Sequence, residues 1–290
     1  MDPSKIEEHI SERTKAIIVT HIYGNPADMD RIMKIAEKHD LFVIEDAAQA
    51  HLATYKNRPV GTIGNIGCFS LQQSKHITTG DGGMVIANED NRFGRELRLC
   101  FDKGWPRDKP VRDHYFLAPN YHMTELQAAV GLAQIGKYEQ CVSSRSAAAA
   151  ALSELLLGYD GFEQIACLPN AENSYFHYCI RLIPDVFRID GRQFVRALQA
   201  EGLECELGYP GEIPLYLYDM IRNNKTFGDS GWPFTSPAAR KKWEYKQGIC
   251  PEAEKACKET IVIPWNEKLT QKHIQLIADA LLKVYREYRK

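Results

Sequence analysis

Apolar positions in the first third of the chain change period twice. Lys15-Ala16-Ile17-Ile18-Val19-Thr20 is a β-branched run and predicts a buried strand. From Asp28, Met29, Ile32, Met33, Ile35 and Ala36 recur at helical spacing as far as about Lys38. Leu41-Phe42-Val43-Ile44 predicts a second buried strand. Strand, helix and strand over this length form one βαβ unit of a parallel sheet. Open α/β sheets place ligands at the carboxyl ends of their strands. There stand His21 after the first strand and Glu45-Asp46-Ala47-Ala48-Gln49 after the second.

Two more short strands, both expected to be buried, are predicted at Ile66 to Ser70 and Met84 to Ala87, then an amphipathic helix over 89–101 and a loop over 104–117. Thr124 and Gln127 have capping-box spacing and open a helix through Leu126, Ala129, Val130, Leu132 and Ala133. A further helix is expected over 139–157. With Gly158, Gly161 and Pro169 behind it, this long helical stretch marks a domain boundary, dividing the chain into 1–144 and 145–290. The second part reads as α+β. Strands are expected at 178–183 and 261–264, and helices at 190–201, capped by Asp190, and 270–288. The stretch 208–237 is a long loop rich in Gly, Pro and the aromatics Tyr209, Tyr216, Tyr218, Phe227, Trp232 and Phe234. Pro3 to Ile10 predicts a short helix with Asp2 as its cap.

Composition excludes several classes. A net charge of −2 gives no electrostatic reason to expect nucleic acid or an anionic membrane. The most apolar run, Ala147 to Leu157, is too short to span a bilayer. Eight scattered cysteines form no Cys-x-x-Cys pair, so a structural zinc is not expected, and no histidine pair has helical ligand spacing. The polar start, Met1 to Glu8, has no signal-peptide core, so free thiols in a reducing cytoplasm are expected. No Gly-x-Gly-x-x-Gly follows the first strand, which disfavours a nicotinamide dehydrogenase.

The chemistry concentrates between the two short strands, in Leu71-Gln72-Gln73-Ser74-Lys75-His76-Ile77-Thr78-Thr79-Gly80-Asp81-Gly82-Gly83. The glycines permit positive φ and close approach of the backbone to a ligand. The hydroxyls of Ser70, Ser74, Thr78 and Thr79 could bond phosphate oxygens. A lysine in such a pocket loses its proton more readily and can attack a carbonyl as a free amine. The competing reading is a Gly-rich hairpin carrying a surface lysine. Asp46, directly after an apolar strand, is either the N-cap of a short helix through Ala47 and Ala48 or an anion awaiting a cationic ligand atom, with Gln49 in reach of the same pocket.

These motifs in order, Glu45 to His51, Phe69 to Lys75, Gly80 to Gly83 and Asn120 to Ala129, resemble the DegT/DnrJ/EryC1/StrS aminotransferases along nearly the whole chain. The resemblance implies PLP fold type I: an α/β large domain with a mixed, mostly parallel sheet, and a smaller α+β C-terminal domain. It implies transfer of an amino group from glutamate or glutamine to a keto sugar (a nucleotide sugar) or keto cyclitol, with pyridoxal 5'-phosphate as cofactor. Lys75 stands where the family has the lysine that carries PLP, and Asp46 where a carboxylate pairs with its ring nitrogen. Gln49 matches a residue near the cofactor's phenolic oxygen, and Ser70 one on its phosphate. Asn120 matches one that reaches the phosphate from the other subunit, which implies a homodimer with shared active sites. Some relatives carry histidine at the lysine position and act as dehydratases; Lys75 disfavours that activity here.

Three departures qualify the match. His122 stands where the family has arginine, and Asp81 where it has glutamate. The sequence also begins where the family already has a long preceding segment that supplies the first strands, a phosphate-binding helix terminus and an aromatic stacking residue. The large domain is therefore expected to be N-terminally incomplete, with an uncovered sheet edge or face. The chain is expected to bind PLP weakly and to aggregate or exchange partners. A non-catalytic remnant or regulatory protein is the alternative that this departure supports. Substrate contacts are expected near His21, Tyr23 and the aromatic loop, with Arg181, Arg222 and Lys225 as candidates for a diphosphate.

Overall fold

The computed structural model describes residues 1–87, 93–208, 211–237, 239 and 244–290. Within the described residues the chain divides into two compact units, one of 1–149, 166–176 and 265–269, the other of 150–165, 177–264 and 270–290.

In the first unit β1 (Ala16–Thr20) and β2 (Phe42–Asp46) pair in parallel across the connecting helix α1 (Met29–Lys38), as the pattern predicts. The Asp28 side chain caps α1 by accepting from the Arg31 amide. A hairpin of β3 (Thr54–Tyr55) and β4 (Arg58–Pro59) precedes β5 (Ile66–Ser70), which lies parallel to β2. β6 (Gly83–Ala87) runs antiparallel to β5, so the sheet is mixed and mostly parallel, in the order β1-β2-β5-β6. One face packs Ile17, Val19 and Val43 against Met29, Ile32 and Ala36 of α1. On the other face Ile18 is 60% exposed. The run Met84 to Ala87 does form a strand, yet Met84 and Val85 are exposed, so Lys75 does not lie between two buried strands. β6 stands at the edge of the sheet, with β5 as its one neighbour among the described residues.

The expected N-terminal helix is two 3-10 turns, Pro3–Lys5 and Glu7–His9. α2 (Gly94–Phe101) is the described part of the helix expected over 89–101, whose start lies outside the described residues. α3 (Glu125–Ile135) opens on the expected capping box of Thr124 and Gln127. None of its residues is buried, and Leu126 and Leu132 are 82% and 74% exposed. α4 (Tyr138–Leu155) follows it.

In the second unit β7 (Phe162–Gln164), β9 (His177–Leu182), β10 (Glu206–Leu207) and β11 (Thr260–Pro264) form an antiparallel sheet in the order β10-β11-β9-β7. The two-residue strand β8 (Ala171–Glu172) belongs instead to the first unit and pairs with β3. α5 (Gly191–Ala200) has Asp190 and Gln193 as its capping box; α6 (Asp219–Arg222) lies in the aromatic loop, and α7 (Pro251–Glu259) and α8 (Gln271–Tyr288) follow. The core is aromatic: Phe187 meets Phe194 edge-on at 4.8 Å, and Phe162 and Tyr285 close the cluster. Tyr209 lies outside the described residues; Phe227 and Trp232 of the same loop are exposed. No helix among the described residues is long and apolar enough to cross a membrane.

Candidate active site

β2 and β5 end side by side at Asp46 and Ser70, and the parallel register sets Asp46 opposite Cys68. Side chains alternate along a strand, so Asp46 leaves β2 on the face opposite the buried Val43 and Glu45. No helix follows Asp46. Its Oδ1 accepts from the Ala48 amide at 3.1 Å and leaves its other oxygen for a ligand.

The loop from Leu71 to Gly82 is closed by Leu71 N–H to Gly82 O and Thr79 N–H to Leu71 O, both 2.9 Å. Gly80 and Gly82 take φ of +86° and +136°, the positive values that glycine permits. Lys75 is half-buried, with its Nζ 4.3 Å from the centroid of the Phe176 ring. Burial pushes its pKa down, and the carboxylate of Asp46 opposes that shift. Lys75 and Asp46 are thus close enough to act on one another, and the amine gives up its proton more readily than a surface lysine does.

Of the four hydroxyls expected to face a phosphate, three are turned inward. Thr78 donates to Leu71 O, Thr79 to Asp81 O and Ser74 to Gln72 Oε1. A tight loop must satisfy its own carbonyls, and these side chains do it. Ser70 differs: its Oγ accepts from the Gln72 amide at 3.3 Å, which leaves its proton to donate. Gln49 is buried and its Oε1 accepts from the Tyr23 amide at 2.9 Å.

His21 is not a ligand-facing residue. It is fully buried, accepts from the Ala27 amide at Nδ1 and donates from Nε2 to Glu45 at 3.0 Å. Glu45 also accepts from the amides of Gly61, Ile63 and Gly64 at 2.6–2.7 Å. Burial pushes the Glu45 carboxyl up, but the bonds from His21 and these amides outweigh it and hold the pKa below the ordinary value.

Asn120 is exposed, in an isolated bridge to Asp102. His122 pairs with Asp102 at 2.8 Å, and Lys103 and Arg107 bind the same carboxylate. In the second unit Arg181 is paired with Glu163 and Glu259, and Lys225 with Asp219, so neither offers an uncompensated charge for a diphosphate. A cavity of about 480 Å³ lined by Thr54, Lys56, Asn57, Asn170, Ala171 and Glu172 contains none of the expected site residues. Sequence reading missed the layer beneath Lys75: His51, His76 and Tyr138. The one available signal is a histidine at position 51 within a run of small apolar residues.

Residues 1–282 match the profile of the DegT/DnrJ/EryC1/StrS aminotransferase family. The chain belongs to that family. Its fold is PLP fold type I, and PLP-dependent aminotransferases are its kin. Among them a GDP-perosamine synthase of Caulobacter vibrioides is 42% identical over 147 residues, which are 50% of this chain and 38% of that protein. An L-glutamine:2-deoxy-scyllo-inosose aminotransferase of Micromonospora echinospora is 33% identical over 246 residues, 81% of this chain and 59% of that protein. The solved structure of Helicobacter pylori PseC, an aminotransferase involved in the biosynthesis of pseudoaminic acid, superposes with a TM-score of 0.82 at 23% identity, over 99% of this chain and 71% of that one. Relatives matched along nearly the whole chain are themselves longer, and it spans 64–70% of their length.

Proposed function

We propose that the chain is the catalytic part of a PLP-dependent aminotransferase that moves an amino group from glutamate or glutamine to a keto sugar carried on a nucleotide, or to a keto cyclitol. The observation that carries this is the half-buried Lys75, its pKa lowered by burial, coupled to Asp46 at the ends of two parallel strands. The donor set fits the cofactor: an amine, a carboxylate with an oxygen to spare and a serine with a proton to donate. When bound, PLP supplies an electron sink for the carbon that loses or gains the proton. Asp46 would keep the pyridine nitrogen protonated, since an opposite charge favours the charged form. Ser70 Oγ would donate to the phosphate, and the Gln49 amide would lie at the phenolic oxygen. Lys75 Nζ, as a free amine, would take up and return the proton at the reacting carbon.

In this reading residues 1–144 are the cofactor-binding part and 145–290 the C-terminal domain. The enzyme works as a homodimer in which Asn120 reaches the partner's phosphate. The exposed apolar side chains of α3, in the same stretch as the exposed Asn120, support an assembled state, because a soluble monomer rarely displays such a patch. All eight cysteines are free thiols, which suits the reducing cytoplasm.

The test is a PLP titration of the purified chain followed by visible absorbance, with Lys75→Ala alongside, then borohydride reduction and peptide mapping. A visible band and an adduct at residue 75, both lost in the variant, are expected. An adduct on another lysine would remove the assigned role, and a band equally strong in both proteins would remove the reading itself.

A further inference from the structure

Beneath Lys75 two buried histidines stack on each other. The His51 and His76 rings lie 5.3 Å apart at 30°, and the side chains are 1% and 5% exposed. Their protonation pattern follows from their partners. His51 Nε2 meets Ser70 O at 2.8 Å, and a carbonyl can only accept, so Nε2 carries the hydrogen. Its Nδ1 is then a lone pair, and the Tyr138 hydroxyl donates to it at 2.9 Å. His76 Nε2 likewise donates to Ser174 O at 2.9 Å, which leaves its Nδ1 buried and without a partner. The backbone carbonyl of His76 accepts from the Cys141 thiol at 3.1 Å. The chain is thus gripped at Ser70, before the lysine, and at His76, directly after it. His76 also ties the lysine loop to Ser174, two residues from the Phe176 ring that underlies Lys75 Nζ.

We propose that His51 and His76 are positioning residues for Lys75, two neutral stacked imidazoles in the Nε2–H form that clamp the chain on both sides of the lysine, and that Tyr138 sets the tautomer of His51. The proposal rests on the reading of Lys75 as the reactive amine. Neutrality is what the surroundings enforce. Burial pushes His51 down to about 4 and His76 well below the ordinary histidine range. The groups facing the pair are Lys75 and Arg145, both cationic, with Tyr138 and Cys141 beside them. Of the nearby carboxylates, Glu267 is bound to Arg145 and Cys141, and Asp46 acts on Lys75. A proton on His76 Nδ1 would be a buried charge among cations with nothing to accept from it. Acid should therefore open the clamp.

The test reads the lysine directly, without cofactor or substrate. The full chain is labelled with acetic anhydride across a pH series, and the acetylation of Lys75 relative to the exposed Lys34 is read by mass spectrometry in wild type, Tyr138→Phe, His51→Gln and His51→Leu. In wild type Lys75 should titrate below the ordinary lysine value. In His51→Leu its pKa should rise toward that ordinary value, and each unit of rise costs about tenfold in labelling at neutral pH. His51→Gln can still donate to Ser70 O and should stay within about threefold of wild type, a rescue that a merely structural histidine would not give. Tyr138→Phe should fall between them. Long-range ¹H–¹⁵N spectra of the wild-type histidine side chains should show both rings neutral and Nε2–H at pH 7. Equal labelling of Lys75 in wild type and His51→Leu, or a charged or Nδ1–H ring at either position, would overturn the proposal. Borohydride trapping with PLP on the wild type tests the underlying reading separately: its failure with the labelling order intact would leave the clamp standing and remove the cofactor role.

Discussion

Glu45→Gln is the sharpest probe of how the first unit holds Asp46 and Ser70 in place. Glu45 is fully buried and receives four hydrogen bonds. Oε1 takes the amides of Ile63 and Gly64, each at 2.6 Å, and Oε2 takes the Gly61 amide at 2.7 Å and His21 Nε2 at 3.0 Å. A glutamine amide can replace only one of these oxygens by an acceptor. Its NH₂ must then face two N–H donors, whichever way it is turned. Two charge-assisted bonds are lost, at about 1.5–3 kcal/mol each, so the variant should lose about 3–6 kcal/mol at pH 7. Acid should act on the wild type in the same direction. The folded pKa of Glu45 is depressed, so its contribution is complete above the unfolded value of about 4.3 and fades as pH falls below it toward the folded pKa. Urea unfolding of both proteins at pH 7 and pH 4 measures this. The gap between them should narrow at the lower pH. A loss under about 1 kcal/mol at pH 7, or a gap that does not change with pH, would show that the carboxylate is not what anchors the 61–64 turn.

Two further substitutions test packing. A Cβ on Gly67 would sit 2.0 Å from Gly61 O and 2.8 Å from Gly61 Cα, and backbone cannot swing aside as a side-chain tip can. Gly67→Ala should therefore cost at least the upper end of the overpacking range, about 3 kcal/mol, or leave no soluble protein; a wild-type melting curve would refute the contact. Phe194→Ala removes the fully buried centre of the aromatic cluster, next to Phe187 and Phe162, and should cost about 3–5 kcal/mol in urea; a loss under about 2 kcal/mol would mean that the pocket collapses around the gap.

Much of this molecule is legible in its sequence because much of it is local. The period of the apolar positions places β1, α1 and β2 and makes the first pair parallel. Asp28, Thr124 and Asp190 cap their helices because a short polar side chain needs only the amide three residues on. Gly80 and Gly82 adopt the positive φ that their lack of a Cβ permits. Lys75 stands out because a lysine in a loop of glycines and hydroxyls has few purely structural uses. What the sequence leaves open depends on partners far along the chain. His21 and Asp46 occupy the same kind of position, two residues past the last apolar residue of a strand, yet only Asp46 keeps an oxygen for a ligand. His21 is consumed by Glu45, 24 residues away. The hydroxyls of Ser74, Thr78 and Thr79 are claimed by the loop's own acceptors once the loop closes. Met84 and Val85 repeat the apolar pattern of a core strand, but they stand on an edge strand and are exposed. The support beneath Lys75 is the furthest from local reading, since Tyr138 meets His51 across 87 residues and His76 meets Ser174 across 98. Periodicity reports which face of an element is apolar; only the packed structure decides what that face meets, and therefore which polar groups are spent on the fold and which remain for chemistry.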